Sequence, residues 1–452
     1  MRRLSYAMHE IPPVDDPALR MLALHARHPD RYPVLLDSAA AGAPLGRFSL
    51  LLAAPGERLT LDDAGCLDGP GTGSGFCERL NAWWREERAS PPPGPWPFAG
   101  GWFLFLGYEL ATEIEPTLRL PPPPMALVAC AWRMRAAWIH DHVTGRGVIL
   151  AEPGSEAAVS RLRADIAAAP ELAAAEERAG PITEDDPARY LDACRRTLLH
   201  IAAGDVYQAN IARAWRTELP AGATAASLYA RLRTANPGAF AGIAELSGFA
   251  ILSSSPERLV RVRGREIDTR PIAGTRPRAA GTDRRSIGEL TGSAKERAEH
   301  VMLIDLERND LGRICEPGTV RVDEFMVVES YAHVHHIVSN VSGTLRPDVA
   351  PGDVVRALFP GGTITGCPKV RCMQLIGDLE GRGRGAYTGA MGYLALDGSL
   401  DLNILIRSMT LSEGRLEWRA GAGIVADSEP ERELEETRAK ARGLLRSLGS
   451  AA

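Results

Sequence analysis

The sequence predicts a globular protein that mixes short β-strands with helices, and two observations carry that prediction. The chain of 452 residues is 45% hydrophobic and 24% charged, which is ordinary for a folded globular protein and enough for one large domain or two. Apolar runs with the length or alternation of strands recur at 31–52, 100–109 and 125–139. Between such runs lie helix-forming stretches with capping residues at their ends.

The composition excludes several classes of function. The net charge is −5 and the basic residues are spread along the chain, so we expect no nucleic-acid partner. The seven cysteines include no C-x-x-C pair, which argues against both a disulfide framework and a structural zinc site. No apolar run approaches the ~18 residues of a membrane span, and the N-terminus lacks the core of a signal peptide. We therefore expect a cytoplasmic protein that binds no membrane.

The best candidate for a domain boundary lies near residue 180, where the composition shifts to Ala, Glu and Arg. We predict an N-terminal domain over 1–180 and a catalytic domain over 181–452. Asp186, followed by a proline, is a good N-cap for the first helix of the second domain.

The stretch 295–310 has no Gly or Pro and predicts a helix. Its centre is apolar nearly all round, which predicts burial on every side and makes Asp305 a buried acid. Glu296 and Glu299 share one stripe of this helix and project together. Two interpretations stay open for these two carboxylates: an edge that faces a metal ion, or a solvated first turn at the positive end of the helix dipole.

A Gly/Thr-rich turn at 359–368 has the spacing of a phosphate loop but not its chemistry. Cys367 and Pro368 follow Gly366, where a Walker A motif has its lysine, and Lys369 comes two residues late. The turn does lead into a helix, with Pro368 in the first turn, so backbone N–H groups would face a small anion such as a carboxylate. The alternative is an ordinary tight turn.

Three further features near the C-terminus have two interpretations each. Arg407 lies in an apolar strand and either pairs with a buried acid or holds a carboxylate. Gly421 and Gly423 fall on one face of a strand and admit either a ligand or a neighbouring strand. A capping box at 428–431 opens a final helix. Its stripe of Glu433, Glu436 and Lys440 is either a solvated face or, with the first acidic helix, a holder for magnesium.

These segments occur together in an order that resembles the chorismate-utilising enzymes, the family of anthranilate synthase component I, aminodeoxychorismate synthase component I and isochorismate synthase. The resemblance covers roughly 186–447, and 35–38 and 47–49 resemble the first domain of the family. Its motifs are Ser255-Pro-Glu257, Pro271-Ile-Ala-Gly-Thr275, Lys295-Glu-Arg-Ala-Glu-His300, Asp305-Leu-Glu-Arg-Asn-Asp-Leu-Gly-Arg313, His333-Val-His-His336, the Gly/Thr-rich turn, Gly421-Ala-Gly-Ile-Val and Glu435-Glu-Thr-Arg-Ala-Lys440.

The resemblance implies an α+β fold like that of anthranilate synthase component I, in which two antiparallel sheets face each other with helices outside. Chorismate and Mg²⁺ would lie between the sheets. Glu299 and Glu436 match the magnesium ligands of the family, and Glu296 and Glu433 are the neighbouring acids. The metal would bridge to the ring carboxylate of chorismate.

The resemblance also assigns residues to the substrate. The groups that match those around the enolpyruvyl carboxylate are Tyr387, Arg407, Gly421 and Gly423, with Lys440 as a further substrate-binding residue. Those that match positions lining the ring are Glu257, Gly274, Thr275, His336 and Thr363. A general acid there must help the C4 hydroxyl leave, so Glu257, His336 and Thr363 are candidate catalytic residues. Lys369 is a fourth candidate, for a covalent step.

The members of the family differ in their nucleophile. Isochorismate synthases carry a lysine that activates water at the position where this chain has Gln208. Because this chain lacks that lysine, we expect ammonia and not water as its nucleophile. Several segments resemble aminodeoxychorismate synthase: Tyr207-Gln-Ala-Asn210, His335-His336, 361–366 and 36–38. We therefore predict Mg²⁺-dependent amination of chorismate to 4-amino-4-deoxychorismate, for 4-aminobenzoate and folate biosynthesis.

One residue points to the other ammonia-using branch. Many aminodeoxychorismate synthases attack C2 of chorismate with a lysine at the position of Ala273, and alanine cannot be that nucleophile. Lys369 or direct amination would have to replace this step. Direct attack at C2 with loss of pyruvate gives anthranilate, so anthranilate synthase component I is the alternative.

The sequence contains no recognisable source of ammonia. None of the seven cysteines lies in a Gly-x-Cys-x-Gly elbow, so we expect ammonia to come from a separate glutamine amidotransferase subunit. A hypothesis from another class is a non-catalytic binder of chorismate or tryptophan, which only Ala273 favours.

Overall fold

A computed structural model describes residues 2–40, 45–169, 172, 179–219, 222–278, 283–292, 294–330 and 334–449. Two residues of the predicted site, Ala273 and Thr275, belong to a described strand, but their side chains lie outside the described residues.

The described part of the chain forms 21 strands. They are β1 (Ala7–Ile11), β2 (Val34–Asp37), β3 (Phe48–Asp62), β4 (Leu67–Asp68), β5 (Gly101–Leu106), β6 (Leu127–Asp141), β7 (Arg146–Ala151), β8 (Thr183–Glu184), β9 (Gln208–Glu218), β10 (Phe240–Leu246), β11 (Phe249–Ser255), β12 (Arg258–Arg263), β13 (Glu266–Thr269), β14 (Ile272–Pro277), β15 (Arg321–Ser330), β16 (Val334–Thr344), β17 (Gly366–Cys367), β18 (Ala390–Ala395), β19 (Leu400–Asn403), β20 (Ser408–Ser412) and β21 (Arg415–Ile424).

Helices alternate with groups of these strands. They are α1 (Pro17–Arg27), α2 (Phe76–Glu87), α3 (Ala111–Ile114), α4 (Glu156–Ala167), α5 (Pro187–Ala202), α6 (Ala225–Ala235), α7 (Asp283–Gly292), α8 (Ala294–Gly312), α9 (Pro351–Leu358), α10 (Lys369–Glu380) and α11 (Pro430–Ser447). A 3₁₀ turn at Gly362–Ile364 precedes β17. No helix among the described residues is long and apolar enough to cross a membrane.

The strands have an inner face and an outer face, as β5 shows. Phe103 and Phe105 belong to a buried cluster that contains no helical residue, so they lie between layers of strands. Trp102 and Leu104 point the opposite way, into a cluster shared with α2, α8 and α9. This alternation follows from the two-residue period of a strand. The strand pairings are antiparallel, and the α+β prediction is confirmed.

Strands from both sides of the predicted domain boundary pair with each other. β2 pairs with β10, with Leu35 opposite Ile243, and β5 pairs with β18, with Phe103 opposite Tyr393. The division near residue 180 stays a prediction, and the hydrogen-bonded network of strands continues across it.

The two predicted helix starts have different outcomes. At α5 the prediction is confirmed, because the carboxylate of Asp186 accepts a hydrogen bond of 2.9 Å from the backbone N–H of Ala188. At α11 the predicted capping box is wrong. The Ser428 hydroxyl accepts from the backbone N–H of Val425 at 3.0 Å, in the preceding turn, and the N-cap is Glu429 without a side-chain cap.

The predicted burial of Asp305 in α8 is also wrong. Its side chain is 63% exposed and pairs with Arg308 at 2.9 Å. The buried face of the helix instead passes through Leu303, Glu307 and Asp310, which follow one another at helical spacing and are each 3–4% exposed. The apolar run is thus not buried all round, and two acids that the sequence did not mark as buried enter the core.

Candidate active site

The predicted site residues come from distant parts of the chain. Glu257 follows β11, His336 lies on β16, Thr363 lies in the 3₁₀ turn and Arg407 precedes β20. Further members lie on α8, β21 and α11, among them Glu299, Gly421, Gly423, Glu436 and Lys440.

Glu257 is a buried carboxyl group suited to proton donation. It is 5% exposed, and burial raises its pKa to about 7. The hydroxyl of Thr363, the backbone of Ile272 and the positive charges of Lys440 and Arg407 oppose this rise. The carboxyl is therefore poised to exchange a proton near neutral pH, as a general acid requires.

His336 is neutral in this environment. Its side chain is 1% exposed, and burial together with the nearby Arg407 lowers its pKa to about 3, although a hydrogen bond to the backbone of Gly274 opposes the shift. A neutral imidazole can donate or accept a hydrogen bond but carries no charge. The site therefore contains one acid that titrates near pH 7 and one histidine that does not.

The sequence predicted Arg407 inside a strand, and this prediction is wrong. Arg407 lies just before β20, with a φ of +50°. Burial lowers the pKa of its guanidinium, and Glu257 opposes that shift. Among the described residues, the guanidinium makes no hydrogen bond or ion pair. A partly buried arginine without such partners is suited to a bound anion, and a carboxylate fits its planar donors best.

The two glycines of β21 make room for polar side chains. A Cβ on Gly421 would lie 2.5 Å from Asn210 Oδ1 and 2.9 Å from the Tyr387 hydroxyl. On Gly423 it would lie 2.5 Å from Gln208 Nε2. Any other residue would displace these groups. Bare backbone thus leaves room for Tyr387 and Asn210 at Gly421 and for Gln208 at Gly423.

Asn210 and Gln208 are site residues that the sequence analysis did not assign. Among the described residues, Asn210 Oδ1 and Gln208 Oε1 are buried without a hydrogen-bond partner. Buried polar atoms are normally satisfied, so these two point to a polar ligand. Their signal was present in the sequence, because alternate polar residues in an apolar strand share one face.

Lys440 ties α11 to the strand of glycines. Its ammonium donates to the carbonyl of Gly421 at 3.0 Å and pairs with Glu436 at 2.7 Å. It also lowers the pKa of Glu257, so its positive charge acts on that carboxyl group. The predicted stripe of α11 therefore faces the site.

The carboxylates fit a magnesium ion. Glu299 Oε1 lies 3.4 Å from a Cβ built on Gly423, and Glu436 reaches Gly421 through Lys440, so carboxylates from α8 and α11 approach the same stretch of β21. Mg²⁺ prefers such oxygen ligands and needs only one or two carboxylates from the protein. No group of three or more His, Cys, Asp or Glu side chains forms a metal site within the described ranges.

The two neighbouring acids, Glu296 and Glu433, have other surroundings. Glu296 Oε2 is 2.8 Å from a Cβ built on Gly274, where φ is +66°. Glu433 is 7% exposed, and its charge helps to raise the pKa of Tyr190 on α5. Of the four predicted metal ligands, Glu299 and Glu436 are thus the pair most closely connected to the glycine strand.

Lys369 is placed differently from the other candidate catalytic residues. Its ammonium pairs with Asp310 at 2.5 Å and is 3.4 Å from the carbonyl of Leu358. Its amino group is thus engaged by a buried acid of α8. This placement argues against Lys369 as the residue that replaces a lysine at 273.

Arg384 is a buried residue that holds the backbone next to the site. It is 3% exposed and donates to Glu380 at 2.6 Å, to the carbonyl of Asn210 at 2.7 Å and to that of Ile364 at 3.1 Å. We expect Arg384→Met to lower the free energy of unfolding by about 3–5 kcal/mol, because it leaves Glu380 buried and unpaired. Urea unfolding measures this loss. The double variant with Glu380→Leu should recover part of it, and an unchanged unfolding midpoint for Arg384→Met would contradict the supporting role.

The arrangement matches known proteins. The sequence profile of the chorismate binding enzymes matches residues 59–446. A Synechocystis anthranilate synthase component I-like protein is 46% identical over 265 residues, which are 58% of this chain and 55% of that protein. The aminodeoxychorismate synthase of Streptomyces griseus is 37% identical over 93% of this chain and 61% of its own length. The chain thus spans less than two thirds of either relative.

A solved structure has the same fold. The crystal structure of anthranilate synthase component I from Streptococcus pneumoniae is 29% identical, with a TM-score of 0.79 over 88% of this chain and 91% of that one. The names of these relatives include both ammonia-using activities that the sequence left open.

Proposed function

The chain belongs to the chorismate-binding enzymes, and from that premise we propose that it aminates chorismate to 4-amino-4-deoxychorismate in the presence of Mg²⁺. Arg407 is the observation that carries the proposal. Its guanidinium is partly buried near Glu257 and His336 and, in the described part of the chain, makes no hydrogen bond or ion pair. Chorismate offers a carboxylate for this arginine and a hydroxyl for the acid.

Glu257 would act on the leaving group. Its carboxyl gives a proton to the C4 hydroxyl, the C4–O bond breaks with its electron pair on oxygen, and water leaves. Ammonia forms the new C–N bond, and the resulting ammonium gives up one proton, so no net proton is consumed. The neutral His336 and Thr363 would orient the ring without adding charge.

Glu299 and Glu436 would hold the magnesium ion. When bound, the ion supplies positive charge that offsets the ring carboxylate of the substrate. Lys440, which is paired with Glu436, adds a second positive charge at the same end of the site.

We expect Glu299→Gln to weaken Mg²⁺ binding at least tenfold, because the amide loses the charge that a hard cation prefers. Isothermal titration calorimetry with MgCl₂ measures this without turnover. Glu10→Gln, an exposed acid 69% accessible, is the control and should bind like the unmodified protein. Equal affinities for all three proteins would remove Glu299 from the metal site.

The carbon that receives the amino group depends on whether a lysine first attacks C2 covalently. The chain has three, at 295, 369 and 440. Two are held in ion pairs with Asp310 and Glu436, and the side chain of Lys295 lies outside the described residues. We therefore propose that ammonia attacks directly, without a covalent bond to the enzyme. The segments that resemble aminodeoxychorismate synthase support attack at C4.

Anthranilate synthesis is the second candidate, and Ala273 favours it. Purified protein with chorismate, MgCl₂ and ammonium chloride distinguishes the two by chromatography of the products. We expect 4-amino-4-deoxychorismate without pyruvate. Anthranilate together with an equal amount of pyruvate would establish the second candidate instead.

We also propose a separate glutaminase subunit as the source of ammonia. The chain alone should use ammonium salts but not glutamine, because the sequence has no Gly-x-Cys-x-Gly nucleophile elbow. Release of glutamate by this chain at the rate of chorismate loss would contradict the proposal.

A further inference from the structure

A second buried carboxyl group, that of Glu307, lies near the proposed general acid Glu257. Glu307 on α8 is 4% exposed, and its Oε2 accepts a hydrogen bond of 2.9 Å from the hydroxyl of Thr269. Its other oxygen, Oε1, lies 3.4 Å from a Cβ built on Gly362. Because Gly362 adjoins Thr363, which interacts with Glu257, both carboxyl groups lie beside the same 3₁₀ turn.

The far side of Glu307 leads toward solvent. Asp310, one turn further along α8, pairs with Lys369, whose side chain is 14% exposed. Glu307 thus neighbours both the carboxyl group of Glu257 and a partly exposed ion pair. The groups that face Glu307 are Asp310 on its own helix, Lys369 on α10, Thr269 on β13 and Glu257.

The side toward the substrate contains unsatisfied polar atoms. Within the described ranges, Glu257 Oε1 and the hydroxyl oxygen of Thr363 are buried and have no hydrogen-bond partner within bonding geometry. Native structures keep few such atoms, and a functional role is one reason. The proposed reaction uses Glu257 and Thr363, but nothing in it uses Glu307.

We propose that Glu307 is the proton reservoir of the site and returns a proton to Glu257 after each turnover. This inference rests on the proposed function, in which Glu257 loses its proton to the departing hydroxyl. Glu307 then gives its own proton to the Glu257 carboxylate and takes another from solvent at the Asp310–Lys369 end. The proton released by the new ammonium balances the one consumed. Glu307 acts through Glu257 and does not touch the substrate.

The electrostatics agree with this role. Burial and the charges of Asp310 and Glu257 together raise the pKa of Glu307 to about 7, and Lys369 and the Thr269 hydroxyl oppose this rise. The pKa of Glu257 is also about 7. Proton transfer between two groups of matched pKa is close to thermoneutral in either direction, so neither group traps the proton.

An infrared pH titration tests the coupling without turnover. Protonated carboxyl groups absorb apart from carboxylates, and we expect two such signals to disappear near neutral pH. Glu307→Gln should remove one and Glu257→Gln the other. In each variant the remaining carboxyl should lose its proton about one pH unit lower, because a neighbouring negative charge is gone. Asp305→Asn, the exposed acid of the same helix, should leave both signals unchanged.

A kinetic measurement then tests the relay. Glu307→Gln should lower kcat about tenfold or more with KM unchanged, and the solvent deuterium isotope effect on kcat should rise. Glu307→Asp should restore part of the rate. If the remaining carboxyl titrates as before in both Gln variants, or if Glu307→Gln keeps kcat and the isotope effect, the inference is overturned. The infrared titration needs no turnover, so it still tests the coupling of Glu307 to Glu257 if the product assay contradicts amination. Failure of this inference and failure of the proposed function are therefore distinguishable.

Discussion

Glu257→Gln should lower kcat by about 100- to 10,000-fold with little change in KM, because the amide occupies the same space but cannot give a proton to the C4 hydroxyl. The rate that decreases should be that of the step in which the C4–O bond breaks. Rapid-quench measurement of chorismate consumption in a single turnover isolates that step. Glu10→Gln, far from the site in sequence and exposed, is the matched control and should keep the full rate.

The pH dependence follows from the same residue. Burial raises the pKa of Glu257 to about 7, so the protonated form that donates predominates below pH 7. The value of kcat/KM should therefore fall as the pH rises through about 7, and this limb should be absent from the residual activity of Glu257→Gln. His336, with a pKa near 3, should add no limb in the neutral range. A profile that is flat between pH 6 and pH 8 would argue against Glu257 as the acid.

Arg407→Lys should lower kcat/KM for chorismate even though the positive charge is retained. Lysine is a point charge on a flexible stem and cannot reproduce the paired donors of a guanidinium. We expect kcat/KM to fall roughly 100-fold, equivalent to about 3 kcal/mol, and Arg407→Met to cost more. Arg442→Met, an exposed arginine on α11, should have no effect.

The binding arm of this prediction uses chorismate itself. Equilibrium dialysis with Glu257→Gln as the background, which prevents turnover, should show the same loss of affinity when Arg407→Lys is added. If affinity is retained while only kcat falls, Arg407 acts on the reacting atoms and does not hold the carboxylate.

The sequence predicted the classes of element well because local rules decide them. The helix start at Asp186, the strand of Gly421 and Gly423, and the two acidic helices depend on caps, periodicity and turns within a few residues. What it missed depends on neighbours from elsewhere. Asp305 and Glu307 are both acids in one apolar stretch, and only the packing of α8 against β13 and the 3₁₀ turn decides which enters the core.

The same reason explains the errors at the site. Arg407 follows an apolar run, and nothing local indicates that the chain turns there with a positive φ. Lys369 sits in a motif of the family, but its partner Asp310 comes from 59 residues earlier in the chain. Long-range ion pairs of this kind are invisible to spacing arguments. They change which residues are free to act.

The pairing of β2 with β10 and of β5 with β18 has a consequence for protein engineering. Grafting residues 1–180 from a relative onto the remainder of this chain would replace one side of both ladders at once. A chimera would fold only where the donor strands keep the register and the alternation of inner and outer residues, since a shift of one residue turns every side chain to the opposite face. Successful recombination between relatives should therefore exchange both partners of a ladder together.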